Sequence, residues 1–181
     1  MTVTLVLGGA RSGKSDAAER MALAHRGPVT YLATGVATDA DMAARIAEHR
    51  DLRDTRFTTV EAGDDLVGRL ESVDGTTLVD SLGTWVASTW SRDDERFTAD
   101  AAALAATLVT RSAPTIVVSD EVGLSVHPES PAGRRFRDAL GIVNRAVAEV
   151  ADDVWLVVAG RGIHLDRLPD PGTAGSEAGA G

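Results

Sequence analysis

The residues with the clearest potential for chemistry form the stretch GGARSGKS, which contains the only lysine of the chain, Lys14. The stretch fits the pattern G-x-x-x-x-G-K-[ST], with a strand-like apolar run before it and a helical pattern after it. Glycines let such a loop turn its backbone N–H groups toward phosphate oxygens, and the following helix N-terminus adds positive potential. Lysine, a compact charge on a flexible stem, suits a crowded phosphate site better than planar arginine. We therefore predict that Lys14 binds the β- and γ-phosphates of a nucleotide and that Ser15 binds Mg²⁺.

Acidic residues at the ends of two other predicted strands are candidates for metal binding. Asp80 ends the strand in TLVDSLGTW, and a carboxylate at such a place near a P-loop typically holds Mg²⁺, directly or through water. Asp120 and Glu121 end the strand in VVSDEVG. For each of these acids the alternative is a carboxylate that only caps the following turn. We predict a metal-binding role for Asp80, and for the other two both interpretations stay open.

A group of basic side chains lies on the predicted helix Ala40–Arg53. Arg45, His49 and Arg53 are four residues apart and therefore share one helix face, and Arg50 is next to the histidine. A neutral imidazole can attack a phosphorus atom, and guanidinium groups can stabilise charge on the phosphate oxygens. The alternative is a solvated face on which nearby carboxylates pair with the arginines.

The elements that must position these residues follow an α/β pattern. Short apolar runs alternate with helical stretches, which is typical of a mainly parallel sheet flanked by helices. The predicted strands are Thr2–Leu7, Val29–Ala33, Thr76–Asp80, Thr115–Ser119 and Val154–Ala159. The other predicted helices are Lys14–Ala24, Ala99–Arg111 and Arg134–Val150, with a possible short helix at Asp64–Leu70. We predict one P-loop NTPase-type α/β domain over residues 1–168 and a disordered, Gly- and Ala-rich tail over 169–181.

Composition restricts the classes of protein that remain. With 181 residues and 44% apolar residues, the chain is long enough for one domain with a sizeable core. A formal charge of −9 and the absence of a basic stripe argue against a nucleic-acid partner. Without cysteine, the chain forms neither disulfides nor thiolate metal sites. Neither a membrane span nor a signal peptide is apparent, so we predict a cytoplasmic protein.

Taken in order, these motifs resemble the family of bifunctional adenosylcobinamide kinase and adenosylcobinamide-phosphate guanylyltransferase. The resemblance runs from about Val3 to Gly160. The segments that carry it are GGARSGKS, YLATG followed by D-x-D-M-x-x-R-I-x-x-H-R, TLVDSLGTW, VVSDEVG and RRFRDALGIVNRAVAEVADDVWLVVAG. The chain departs from the family at Asp120, where asparagine is more common, and the resemblance implies an added negative charge beside the triphosphate.

The resemblance implies a reaction in two halves. A nucleoside triphosphate, ATP or GTP with Mg²⁺, phosphorylates the aminopropanol hydroxyl of adenosylcobinamide. GMP then passes from GTP to that phosphate through a guanylylated His49, which gives adenosylcobinamide-GDP and pyrophosphate. Members of the family are homotrimers, and the resemblance implies a catalytic role for Lys14. The family's nucleotide-contact positions correspond here to Gly8, Gly9, Ala10, Arg11, Ser12, Gly13, Lys14, Ser15, Ala33, Thr34, Gly35, Arg50, Asp51, Leu52, Arg53, Glu61 and Asp80.

Two other functions fit the P-loop without the resemblance. One is a kinase of a different small alcohol, in which the His49 helix only grips phosphate. The other is a nucleotide-binding regulator without transfer chemistry. Corrinoid-dependent turnover separates the first of these from the bifunctional enzyme, and turnover of any kind separates both enzymes from the regulator.

Overall fold

The computed structural model describes residues 2–35, 53–89 and 93–168. In these ranges a seven-stranded sheet has the order β3-β2-β4-β5-β1-β6-β7, and only β7 runs antiparallel to its neighbour. The strands are β1 Val3–Gly8, β2 Val29–Ala33, β3 Phe57–Glu61, β4 Thr76–Asp80, β5 Thr115–Asp120, β6 Asp153–Val158 and β7 Arg161–His164. The helices described are α1 Lys14–Ala24, α2 Leu66–Ser72, α3 Leu82–Ser88, α4 Asp94–Thr110 and α5 Pro131–Val150.

The central strands are apolar on both faces because helices cover both faces. In β1, Leu5 and Leu7 pack into the larger apolar cluster, which includes residues of α2, α3, α4 and α5. Val6, which points the other way, packs with Ala18 and Ala22 of α1. Of the described helices, α1 therefore covers one face of the sheet, and α2, α3, α4 and α5 cover the opposite face.

The register of the strands brings the predicted site residues to one edge of the sheet. Gly8 at the end of β1 lies beside Asp120 at the end of β5. Ala33 at the end of β2 lies between Asp80 of β4 and Glu61 of β3. Because parallel strands end at the same edge, side chains far apart in the sequence meet there.

Several sequence predictions are confirmed by these elements. The fold class is α/β with a mainly parallel sheet, and β2, β4 and α1 have the predicted bounds. The strands β1, β5 and β6 each differ from prediction by one residue at one or both ends, as at Ala159, whose positive φ of 51° takes it out of β6. The short helix α2 begins after Asp65, whose side chain accepts a hydrogen bond from the Gly68 N–H at 3.2 Å.

Two predicted helix starts are wrong because capping residues precede them. Helix α4 begins at Asp94 rather than Ala99, since the Asp93 carboxylate accepts a hydrogen bond from the Arg96 N–H at 2.8 Å. Helix α5 begins at Pro131 rather than Arg134, since the Ser130 hydroxyl accepts one from the Gly133 N–H at 3.0 Å.

Three elements were not predicted: β3, β7 and α3. Strand β3 has the sequence FTTVE and is half-buried, so its apolar signal is weak. The predicted helix Ala40–Arg53 falls outside the described residues except for Arg53, which is not helical. The predicted disordered tail, 169–181, also falls outside them. No described helix combines the length and apolarity needed to cross a membrane.

Candidate nucleotide site

The loop GGARSGKS joins β1 to α1 and has the tight turns that its glycines permit. Gly13, the N-cap of α1, has φ of +87°, in the left-handed region that favours glycine, and a Cβ there would lie 3.3 Å from the Gly160 Cα. A Cβ on Gly8 would overlap the Ser12 Oγ and come within 2.8 Å of the Val157 carbonyl oxygen. The Gly160 N–H donates to the Ser12 carbonyl at 2.8 Å, which ties the loop to the turn after β6.

The Lys14 ammonium group is held by an ion pair across the strand ends. Its Nζ lies 2.8 Å from Asp120 Oδ1 and also donates to the Gly9 carbonyl at 3.3 Å. The lysine side chain is 13% exposed and the aspartate 31%, so solvent screens the pair only in part. Asp120 therefore pairs with the P-loop lysine and does more than cap a turn. Glu121, in contrast, caps the following turn, because its carboxylate accepts a hydrogen bond from the Gly123 N–H at 2.6 Å.

Neighbouring groups fix the position of Asp120. The Asn144 side-chain amide donates to the Asp120 carbonyl at 3.0 Å and accepts from the Ser119 hydroxyl at 2.5 Å. On the other side, a Cβ added to Gly83 would overlap Asp120 Oδ2. The carboxylate therefore sits between the P-loop lysine and the first turn of α3.

Asp80 accepts a hydrogen bond from a buried tyrosine. The Tyr31 hydroxyl donates to Asp80 Oδ2 at 2.5 Å, and Tyr31 is only 3% exposed. Burial, with the nearby Asp80 charge, raises the pKa of Tyr31 well above its usual value, so the phenol remains a donor. The ring lies under the Arg53 guanidinium, with Cζ 3.4 Å from the ring centroid, and meets the edge of Phe57 at 6.0 Å.

Arg53 is largely buried among groups from three elements. Its side chain is 10% exposed, its Nε lies 3.5 Å from Glu19 Oε1, and its Nη1 donates to the Thr59 hydroxyl at 3.3 Å. The arginine therefore links α1, β2 and β3 beside Asp80.

The Thr34 hydroxyl belongs to the framework of the site. It donates to the Ser81 carbonyl at 2.6 Å and accepts from the Ser81 N–H at 2.9 Å. Thr34 is fully buried, and its Oγ1 lies 2.5 Å from the Thr84 Oγ1 of the α3 capping box. These bonds join the end of β2 to the start of α3, and Gly35 then passes close to Thr84, its Cβ position lying 3.8 Å from the Thr84 Cγ2.

The structure brings most of the predicted site residues together. The P-loop, residues 8–15, and Asp80, Ala33–Gly35 and Glu61 lie along the carboxyl edge of the sheet. Their contacts with nucleotide remain predictions. His49 and its neighbours Arg50, Asp51 and Leu52 lie outside the described residues.

Sequence reasoning missed four residues that shape the site: Tyr31, Glu19, Thr84 and Asn144. Only Tyr31 gave a usable signal, because it is the single tyrosine of the chain and begins the motif YLATG. The others lie within helices and become relevant only through tertiary contacts.

The loop GGARSGKS joins the central strand β1 to helix α1 at the carboxyl edge of a mainly parallel sheet, and this is the architecture of the P-loop NTPase class. The solved structure of the recombinase RadB supports this fold. It superposes with a TM-score of 0.50 at 21% identity, covering 94% of this chain and 77% of that one.

Sequence comparison then gives the family. The family model described as cobinamide kinase / cobinamide phosphate guanyltransferase matches residues 4–165. A bifunctional adenosylcobalamin biosynthesis protein CobP from Pseudomonas aeruginosa is 39% identical, covering 91% of this chain and 98% of that protein. A bifunctional adenosylcobalamin biosynthesis protein CobU from Escherichia coli is 37% identical, with coverage of 89% and 98%. The chain therefore belongs to the cobinamide kinase / cobinamide phosphate guanyltransferase family, which confirms the resemblance.

Proposed function

We propose that this protein phosphorylates adenosylcobinamide and then transfers GMP to the product, as a bifunctional enzyme of adenosylcobalamin biosynthesis. The observation that carries the proposal is the family match over residues 4–165. The site supports it, because the P-loop, Lys14 and Asp80 lie at one edge of the sheet. GTP and ATP are the proposed nucleotide substrates.

In the kinase half, the oxygen of the aminopropanol hydroxyl attacks the γ-phosphorus and loses its proton to solvent, while the bond from the γ-phosphorus to the β,γ-bridging oxygen breaks and the nucleoside diphosphate leaves. The P-loop N–H groups bind the phosphates, and Lys14 neutralises charge on them. Lys14 must exchange Asp120 for phosphate oxygens, since its ammonium group is 2.8 Å from that carboxylate. Because this carboxylate stays beside the phosphates, its charge opposes nucleotide binding.

The oxygen ligands of the site fit Mg²⁺. The Ser15 hydroxyl, in the first turn of α1, and the Asp80 carboxylate, at the end of β4, are the hard donors that this ion prefers. The described residues contain no cluster of three or more His, Cys, Asp or Glu side chains that could hold a metal by itself. Such a sparse set suits an ion that keeps its waters and is shared with substrate phosphates. When bound, Mg²⁺ would neutralise charge on the transferred phosphate.

In the guanylyltransferase half, we assign the nucleophile to His49. A ring nitrogen of the neutral imidazole attacks the α-phosphorus of GTP, and pyrophosphate leaves. A phosphate oxygen of adenosylcobinamide phosphate then attacks the same phosphorus, which frees the histidine and forms adenosylcobinamide-GDP. Arg45 and Arg50 are close to His49 in the sequence and would bind the phosphate oxygens.

We also propose a homotrimer in the cytoplasm, where both nucleotides are available. Apolar side chains exposed around β7 support self-association, since Ile163 is 57% exposed and Leu168 is 91% exposed. Light scattering in solution tests the trimer directly.

The decisive experiment is the intact mass of the protein after incubation with GTP and Mg²⁺, without any corrinoid. We expect the parent protein to gain one GMP through an acid-labile bond, and His49→Ala to gain none. His25→Ala is the matched control, because that histidine ends α1 and should leave the modification intact.

A parent protein that binds GTP without gaining GMP would contradict the covalent mechanism. The same would follow if His49→Ala formed adenosylcobinamide-GDP at the parental rate. A kinase without guanylyl transfer would then be the better description.

A further inference from the structure

The two oxygens of the Asp80 carboxylate have different surroundings. Oδ2 accepts the hydrogen bond from the Tyr31 hydroxyl at 2.5 Å. Within the described ranges, Oδ1 makes no hydrogen bond and is the oxygen left for a ligand. The carboxylate is therefore asymmetric before anything binds to it.

The tyrosine that produces this asymmetry is itself held firmly. Its ring is covered on one face by the Arg53 guanidinium, whose Cζ is 3.4 Å from the centroid, and abuts the edge of Phe57. Arg53 in turn lies 3.5 Å from Glu19 Oε1 and donates to Thr59. With 3% of its surface exposed, Tyr31 has little freedom to turn its hydroxyl away from Asp80.

We propose that Tyr31 is a positioning residue whose hydrogen bond to Oδ2 favours one-oxygen coordination by Asp80, so that the site selects Mg²⁺ over Ca²⁺. The inference rests on the metal-binding role of Asp80 given under the proposed function. It adds the reason why the site would favour one divalent ion over the other.

The physical basis is the different coordination of the two ions. Mg²⁺ takes near-octahedral ligands at about 2.0–2.1 Å and is usually bound through one or two carboxylates plus waters and phosphates. Ca²⁺ takes about six to eight oxygens at longer distances and readily accepts a carboxylate through both oxygens. A carboxylate whose second oxygen already accepts a hydrogen bond from a fixed phenol offers Mg²⁺ the single oxygen that it needs, whereas two-oxygen binding of Ca²⁺ must share Oδ2 with the phenol and is disfavoured.

The test is Tyr31→Phe, which removes the hydroxyl but keeps the ring under Arg53. The probe is Mn²⁺, measured by electron paramagnetic resonance of the free ion in the presence of a non-hydrolysable GTP analogue. Competition with Mg²⁺ and with Ca²⁺ gives the affinity of each. Loss of a group that orients a metal ligand typically changes metal affinity by about 10- to 100-fold. We expect the ratio of Mg²⁺ to Ca²⁺ affinity to fall by about tenfold in the variant.

A tyrosine that only stabilised the fold would change both affinities by the same factor, and that result would overturn the inference. An unchanged ratio with unchanged affinities would overturn it as well. Thr58→Val is the matched control, because it removes a hydroxyl from an exposed position on the same strand, β3, and leaves the contacts of Tyr31 and Arg53 in place, so it should show the parental ratio. Thermal melting of both variants establishes that they are folded.

Asp80→Asn separates this inference from the proposed function. If that variant binds Mn²⁺ as the parent does, Asp80 is not a metal ligand, and both the metal assignment and the inference fail. If Asp80→Asn weakens Mn²⁺ but Tyr31→Phe leaves the ratio unchanged, only the inference fails. On the Asp80→Asn background, Tyr31→Phe should have no further effect on the ratio.

Discussion

Replacing Asp120 by asparagine should tighten nucleotide binding. Asp120 Oδ1 lies 2.8 Å from Lys14 Nζ, so a nucleotide must compete with this carboxylate for the lysine to which we assign phosphate binding. Asparagine keeps the shape of the side chain and removes its charge. The substitution therefore frees Lys14 and also removes a negative charge beside the triphosphate.

The size of the effect follows from the exposure of the pair. Two unit charges 4 Å apart attract by about 1 kcal/mol in water and about 4 kcal/mol at an effective dielectric constant of about 20. Fully exposed pairs retain about 0–1 kcal/mol. Because the lysine side chain is 13% exposed and the aspartate side chain 31%, solvent screens the attraction between the two charges only in part. We expect a gain of about 1–2 kcal/mol, equivalent to about 5- to 30-fold tighter binding.

The assay is a titration with a fluorescent GTP or ATP analogue, first without Mg²⁺ and then with it. Without the metal, the measurement reports the two effects of the Asp120 charge, its competition for Lys14 and its repulsion of the phosphates, free of any change in Mg²⁺ binding. Glu121→Gln is the matched control, because it removes one negative charge from the adjacent residue, whose carboxylate caps the Gly123 turn. We expect its dissociation constant to stay within about twofold of the parental value, since an exposed charge contributes little.

Equal or weaker nucleotide binding by Asp120→Asn in the absence of metal would contradict the prediction. Equal tightening by Glu121→Gln would also refute it, because the effect would then come from net charge rather than from the pair with Lys14. Lys14→Met should reduce the difference between aspartate and asparagine at position 120 to the part that comes from repulsion between the carboxylate and the phosphates.

Gly13→Ala should destabilise the fold by about 1–2 kcal/mol, because its φ of +87° is unfavourable for any residue with a Cβ. Urea denaturation measures this, and Gly9→Ala, whose Cβ would meet no atom within 4 Å, should stay within about 0.5 kcal/mol of the parent. Arg111→Met should cost about 2–4 kcal/mol while leaving nucleotide affinity unchanged, because Arg111 donates to the carbonyls of Leu70, Val73 and Gly75 away from the site. A stable Arg111→Met protein, or one with altered nucleotide affinity, would contradict this assignment.

The features predicted most accurately from the sequence are those that depend on residues close together in the chain. The bounds of β2, β4 and α1 follow from short apolar runs and from the glycine at the end of the P-loop. Caps were missed at Asp93 and Ser130, although both are common helix N-cap residue types. Strand β3 was missed because it is half-buried at the edge of the sheet, where alternation is weak.

The P-loop, the α/β fold and the family's motifs could be predicted from the sequence, because each depends on residues close together in the chain. The sequence left open whether Asp120 capped a turn or acted beside the phosphates. Its pairing with Lys14 is visible only in the folded chain, since parallel pairing of β1 with β5 brings together residues more than one hundred positions apart. The bond from Tyr31 to Asp80 likewise exists only because β2 and β4 are neighbours in the sheet. Contacts of this kind depend on strand order, which no local pattern of residues encodes.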